Sequence, residues 1–499
     1  MSQFAKKLLC VLLLAVGAEQ AKAFSLAGPL EAWQVINLGY AKPTDVAAAD
    51  FVGPKNIGEE YRWDSPILVY AFDPSFIAYF GQAGVDAIEM AIKVLNDLPA
   101  FSGLSQELTE YPLDTRRFNY RALALGIRDM KSWTLSALLE AMGLGVPERW
   151  AYTLRAVLLN GGLAASTTIK RNFDPVTLLP SSYVNGTLYT YNVRAFDFVP
   201  DFEATEVAVD PLAPSVTSVV ALQGLQTGGA DFRGSGVLIN PGLFYTGLTR
   251  DDVGGLRYIY NKSNFNVENV SSNAVSATGS AGGGGSPFLP VPGSPAGAVG
   301  APGVGGAIGG GAVVTTNTLV GVALRPGPDK ITFQRANFDS TLNAFVFTNT
   351  VFYTDTYITN GLTLKQLVRR NLTQPDILFS AADLGVSVIN QLYPIMISRR
   401  IGFQNNTALN SVGATALAGP GTITGPVEIT FSKVGPFLLN FGPFNEETAT
   451  SGLVWGSFDG STNAPVLFPR GMTIQDLEKI VLSGSGGTLS PWWPVGTGP

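Results

Sequence analysis

Residues 67–98 read ILVYAFDPSFIAYFGQAGVDAIEMAIKVLNDL. The run Ile67-Leu68-Val69-Tyr70-Ala71-Phe72 follows Pro66 and is wholly apolar, with the length and flanks of a buried strand. From Gly84 the period changes. Val85, Ile88, Ile92 and Leu95 recur at helical spacing, Asp86, Glu89, Lys93 and Asn96 lie elsewhere around the turn, and Pro99 ends the helix. A strand running into an amphipathic helix makes this part of the chain α+β.

Working outward, a second helix is expected from Ser132 to about Met142. Leu135, Leu138, Leu139 and Met142 form its stripe, and Gly143 with Gly145 supplies the stop. Pro147 opens a third predicted helix over PERWAYTLRAVLL. A last helix follows Thr249, which has capping-box spacing to Asp252, with Val253, Leu256 and Tyr260 on one side. Residues 166–247 read as strand-like, and Asn185-Gly186 between apolar stretches is a hairpin signal.

Charge then disappears between Glu268 and Arg325. Within that gap, SAGGGGSPFLPVPGSPAGAVGAPGVGGAIGGGAVV (280–314) has too much Gly and Pro to pack a core, so 271–315 is expected to be a flexible linker spanning roughly 35 Å. Beyond it, 316–499 reads as mainly β. KITFQ, NAFVFTNTVFY, PVEITFSKV, PFLLNF and GLVWGSF are candidate strands of a sandwich or small barrel, and one helix is expected over Thr473–Val481. The expected division is therefore 1–23, 24–270 (α+β), 271–315 (linker) and 316–499 (β-rich).

Segment 1–23 has the form of a secretory signal. Lys6 and Lys7 precede the short apolar run Leu8–Val16, and Ala21-Lys22-Ala23 offers a small-x-small cleavage site before Phe24. The run is too short to span a bilayer, so the expected location is extracellular or the cell surface. Cleavage removes Cys10, the single cysteine, leaving no thiol for a disulfide, a nucleophile or a metal. It also removes Lys6, Lys7, Lys22 and Glu19 from 32 basic and 38 acidic residues, leaving 29 against 37. An acidic chain of low charge density argues against nucleic acid as a partner.

The segments ILVYAFD with its helix, TLSALLEAMGLG, and LTRDDVGGLRYIY together resemble the matrixin branch of the metzincin zinc proteases. That family carries H-E-x-x-H-x-x-G-x-x-H on its zinc helix and a closing L-[ST]-x-x-D-[IV]-x-G-[IL]-x-x-L-Y. With Met142-Gly143-Leu144 on the family's L-G-L, its three histidines fall on Ser136, Glu140 and Val146, and its general-base glutamate falls on Ala137. The closing motif is met by Leu248, Thr249, Asp252, Val253, Gly255, Leu256 and Tyr260. The resemblance covers roughly residues 60–260 and implies a zincin-like fold with a strand-rich insertion. A catalytic zinc needs three protein ligands and a base near its water. The chain has no histidine, so the resemblance implies a pseudo-protease without zinc. Both halves are also similar to large secreted proteins of environmental bacteria.

Lack of histidine also closes Ser-His-Asp chemistry. Carboxylates remain. Asp197, Asp201, Glu203, Glu206 and Asp210 form an acidic cluster, in which strand alternation sets Asp201 and Glu203 on one face. They offer a pair for glycoside hydrolysis, oxygen ligands for calcium, or a solvated strand face. No cofactor is otherwise implied. Trp492 and Trp493 are an aromatic patch suited to carbohydrate or partner docking, or to capping a core. The expectation is a non-catalytic, structural or adhesive protein of the cell exterior, able to self-assemble through β-edges. Its partners would be protein (its own or another exterior component) or polysaccharide. A carboxylate-dependent, glycan-active hydrolase and a peptide-binding pseudo-protease are the alternatives.

Overall fold

A computed structural model describes residues 23–31, 33–34, 52–160, 163–195, 202–213, 217–221, 241–271, 273–276, 319–339, 344–345, 349–381, 397–406, 420–431, 454–468 and 473–482. The elements used below are, in chain order, β1 (Phe24–Gly28), β2 (Tyr61–Arg62), β3 (Ile67–Phe72), α1 (Pro74–Asn96), α2 (Met130–Ala141), β4 (Thr153–Asn160), β5 (Leu163–Ile169), β6 (Thr187–Ala195), β7 (Phe202–Ala208), α3 (Arg250–Tyr260), β8 (Phe265–Asn269), β9 (Ala274–Ser276), β10 (Val322–Pro326), β11 (Thr332–Arg335), β12 (Asn349–Thr359), β13 (Leu362–Leu372), β14 (Ile377–Ser380), β15 (Ile397–Asn405), β16 (Gly421–Phe431) and β17 (Val454–Ser457). The chain is a mixed α+β protein, rich in strand.

The main sheet has the order β11-β3-β14-β16-β15, with β2 also pairing β16. Strands β11, β3, β14 and β16 run parallel, and β15 is antiparallel at the edge. β3 sits inside the sheet, its Tyr70 opposite Arg335 on one side and Ile377 on the other. Both faces of β3 are covered, which is why its sequence is apolar at every position. Leu68, Tyr70 and Phe72 face the α1 and α2 side, while Ile67 and Val69 pack with Val351 and Leu372 of a second sheet.

On the helical side, Phe72 stacks on Phe379 at 5.5 Å. Phe76, Phe80, Phe431, Trp455 and Trp133 continue the aromatic chain at centroid distances of 4.7–6.0 Å. Helix α1 begins earlier than the periodicity indicates, at Pro74 behind the Asp73 cap. The two segments join across a non-helical Gly81, which hides the first turns from a pattern read over one period. α2 ends where its stripe predicts. Gly143 adopts φ 95°, and a Cβ there would collide with the Tyr61 carbonyl, so the stop requires glycine.

The second sheet is antiparallel in the order β8-β10-β12-β13-β9. It too takes strands from both sides of the Gly/Pro-rich stretch. This corrects the expected division. Residues 316–499 do not form a separate sandwich or barrel, because β11, β14 and β16 hydrogen-bond into the sheet of β3, and Phe379, Val427 and Ile429 share one core with Phe72 and Leu138. Of the expected linker 271–315, Ala274–Ser276 is a strand on β13, and 277–315 lies outside the described residues.

The helix expected over PERWAYTLRAVLL is a second correction. Only Pro147–Trp150 is helical, and Thr153–Asn160 is a strand paired with β5. Leu and Ala fit both periods, so pairing with a neighbour decided between them. The Asn185-Gly186 turn forms as read, with φ of 43° and 82°. α3 carries the Thr249/Asp252 capping box, and Ile474–Leu482 is helical. PFLLNF lies outside the described residues.

Candidate functional site

The zinc-helix positions come first, since the matrixin resemblance singles them out. Ser136, Ala137, Glu140 and Val146 are all buried. The Ser136 hydroxyl donates to the Val220 carbonyl at 3.0 Å, and Val146 packs with Trp150 and Ala221. Segment 217–221 thus lies over these positions. It is held down by carboxylates. Glu148 accepts from the N–H groups of Thr217 and Ser218, each at 2.9 Å, and Asp252 accepts from those of Val219 and Val220. Burial raises both carboxyl pKa values above the ordinary range, against the Ser218 and Thr249 hydroxyls that donate to them. Glu140 itself is buried, 1% exposed. Among the described residues no cluster of three or more metal-ligating side chains occurs.

Within the acidic cluster, Asp197 and Asp201 lie outside the described residues, as do Trp492 and Trp493. On β7, Glu203 is opposite Arg194 and Glu206 opposite Tyr191. Asp210 is exposed in the following turn, where its carboxylate caps the Leu212 N–H at 2.9 Å. That is a local turn contact.

A different constellation is enclosed. A cavity of about 440 Å³ opens between β10 and β12. These strands share a single register pair, Leu324 with Ile358. Continued antiparallel pairing would set 326–329 against 353–356. Pro326 and Pro328 have no N–H to offer, so the strands part instead. The gap is walled by Trp63, Phe265, Tyr353 and the prolines, and reaches inward to Asp64.

Three ion pairs brace its back and sides. Arg62 meets Glu268 at 2.6 Å, Arg325 grips both oxygens of Asp355 at 3.0 and 3.1 Å, and Arg370 meets Asp376 at 2.6 Å. The remaining guanidinium donors are spent on backbone. Arg62 donates to the carbonyls of Ile259, Asn264 and Arg325, and Arg325 to those of Val320, Gly321 and Glu268. Burial raises the Glu268 pKa, against the pull of Arg62.

Asp64 is the carboxylate left over. Among the described residues no lysine or arginine pairs with it, and Arg370 acts on it only from a distance. Burial pushes its pKa to about 7, Arg370 works against that rise, and Glu268 and Asp376 add to it. Beside it, the Tyr353 side chain is 7% exposed and its hydroxyl has no hydrogen-bond partner among the described residues. Burial, Asp64 and Asp355 all raise the phenol's pKa, so it stays protonated. The site can therefore accept hydrogen bonds at Asp64 and Tyr353, exchange one proton near neutrality, and stack a ligand on aromatic rings.

None of these residues stands out in the sequence. They come from five separate segments between Trp63 and Asp376, and only the run Arg325-Pro-Gly-Pro-Asp329, a strand end unable to continue a ladder, signals the gap. No family model, curated protein or solved structure matches the chain.

Proposed function

We propose that this chain is an exported, non-catalytic protein of the cell exterior, structural or adhesive, that works by holding a ligand. The observation that carries the reading is the preformed cavity between β10 and β12. Its charged walls are braced by arginines that pair with carboxylates and donate to backbone carbonyls, and a partly apolar hollow with a few convergent polar groups is a binding geometry. Export rests on the signal-like residues 1–23; β1 starts at Phe24 and is buried throughout. The matrixin likeness belongs to this proposal as a pseudo-protease ancestry, with the plug 217–221 in place of an open cleft. Self-assembly belongs to it too, tested by light scattering of the purified chain across concentration: a concentration-independent monomer removes it.

The test of the binding reading is equilibrium binding to arrays of extracellular glycans and peptides, with mass analysis of what is released. Intact ligand, bound by wild type and weakened by Tyr353→Phe, is the expected result. Cleaved ligand would overturn the non-catalytic part. One observation favours that second reading. Asp64, its pKa raised by burial to about 7, shares a cavity with Asp355, the carboxyl paired to Arg325, and two carboxyl groups in different surroundings are what glycoside hydrolysis uses. Hydrolysis of an oligosaccharide, abolished by both Asp64→Asn and Asp355→Asn, would establish it.

A further inference from the structure

We propose that the cavity between β10 and β12 is a receptor for a primary alkylammonium group, such as a lysine side chain presented by another protein, with Asp64 as its counter-ion and the Tyr353 oxygen as a second acceptor. The inference rests on the binding reading above and specifies its ligand.

The first support is a mismatch between donors and acceptors. Every guanidinium near the cavity is committed. All three nitrogens of Arg62 and of Arg325 are bonded to carboxylates and carbonyls, and those of Arg370 to Asp376, Asn273 and the Ile67 carbonyl. Acceptors remain over. Asp64 and Tyr353 both line the cavity, and the Tyr353 hydroxyl is buried and has no hydrogen-bond partner among the described residues. In an antiparallel strand, alternate residues turn their N–H and C=O groups toward each neighbour. β10 leaves the 353–356 stretch of β12 without ladder partners on that side, so backbone carbonyls join the acceptors. A ligand that satisfies this wall must bring several donors.

The second support is charge. The three arginines balance Glu268, Asp355 and Asp376, and among the described residues no cation pairs with Asp64. Asp329, on the same lining, is occupied by the Ser102 N–H and hydroxyl at 2.7 Å each, and Lys262 lies exposed at the rim. An unpaired carboxylate in such a site attracts a cation, and a compact ammonium carries its three donors at one point, matching one carboxylate, one phenol and a carbonyl. The apolar stem fits the remaining wall, where Trp63, Phe265, Pro326 and Pro328 form a non-polar sleeve and the rings can face the charge.

Binding a cation draws the proton from Asp64, so affinity rises with pH until Asp64 is ionised in the free protein. The charged and titratable groups around it are Arg370 on β13, Glu268 on β8, Tyr353 and Asp355 on β12, Arg325 on β10, and Asp376 before β14, with Lys262 and Asp329 on the lining. Burial works to lower the Arg370 pKa but Asp376 raises it further, and the phenol stays neutral across the range, so Asp64 supplies the pH dependence.

The experiment is calorimetry on the full chain with Nα-acetyl-lysine methylamide, its neutral counterpart Nα-acetyl-norleucine methylamide, and a neutral oligosaccharide. The expected result is that the lysine probe binds, the norleucine probe binds at least tenfold more weakly, and affinity for the lysine probe rises about tenfold per pH unit from 5 to 6.5 before levelling. Asp64→Asn lowers lysine affinity at least tenfold at pH 8, and Tyr353→Phe lowers it several-fold. The second variant keeps the test decisive if the first misfolds. Equal binding of the two amino-acid probes, or lysine binding unchanged in both variants, overturns the ammonium receptor. Oligosaccharide binding without lysine binding also overturns it while leaving the broader binding reading intact.

Discussion

Replacing Asp64 with asparagine should make the protein more stable at alkaline pH, although it removes a charged side chain from a cavity rich in arginine. In the fold the Asp64 pKa is about 7, against 3.8 for the free side chain. The folded state therefore holds a proton that the unfolded state has lost across the interval between those values. Stability falls as pH rises through that window, because the unfolded chain binds fewer protons there. At about 1.4 kcal/mol per unit the full cost above pH 7 is up to ~4 kcal/mol. Water in the cavity screens part of it, so roughly 2–4 kcal/mol is expected. Asparagine has nearly the shape of the protonated acid and carries no such cost. Urea denaturation of wild type and Asp64→Asn between pH 4 and 9 measures the difference. The curves should coincide near pH 4, separate progressively, and run parallel above about pH 7.5 with the variant higher. A variant less stable than wild type at pH 8 would mean that Arg370 is a true partner of Asp64. A gap independent of pH would mean that the carboxyl does not titrate in the fold. Either result refutes the reasoning on which the surplus charge rests.

Three further outcomes follow from buried charges. Arg325→Met removes the partner of Asp355 and leaves that carboxylate uncompensated, so it should cost about 3–5 kcal/mol in a denaturant titration; a loss under 1 kcal/mol would contradict the bracing role of the pair. Glu140→Arg forces a longer cation into a fully enclosed position on α2 and should abolish cooperative unfolding, whereas a change confined to peptide affinity would show the position to be an open cleft. Asp251 is buried at the start of α3, accepts the Asn185 N–H at 2.5 Å and that of Ala23, and leaves Oδ1 without a partner among the described residues. Cleavage between Ala23 and Phe24 would remove that Ala23 N–H and leave the new Phe24 α-amino group one residue from its place. A chain beginning at Phe24 should then be more stable near pH 6.5 than one with a blocked Phe24 amino group, by about 1–3 kcal/mol, and equal stability would count against that ion pair.

How much of this was readable beforehand differs by element. Ile67–Phe72 was legible as a buried strand because both its faces are covered and every residue is apolar. The Gly143 stop, the Asn185-Gly186 turn and the Thr249/Asp252 cap were legible because each depends on contacts within a few residues. The 153–160 segment reads as helix in the sequence because leucine and alanine suit either period, and its β5 partner makes it a strand. The apolar stripe identifies α2 as a helix closed by a glycine, but not that 217–221 bonds to it, since that contact joins residues 84 apart. The acidic cluster drew notice through density of charge, yet the carboxyl with the most telling surroundings, Asp64, stands alone in the sequence between a tryptophan and a serine.

The sequence by itself determined the local features and the closed chemistries: where helices stop, where the hairpin turns, and that no histidine exists for zinc or for a proton relay. Tertiary structure alone decided that the strands on either side of the Gly/Pro stretch share one sheet, and that Arg62, Arg325 and Arg370 would find other carboxylates and leave Asp64 without a paired cation among the described residues. The physical reason is range. Capping, turn geometry and periodicity are set by neighbours along the chain, whereas desolvation and charge balance depend on every group that folding brings within a few ångströms. For Asp64 those groups lie some 200 to 310 residues away, at Glu268, Arg370 and Asp376.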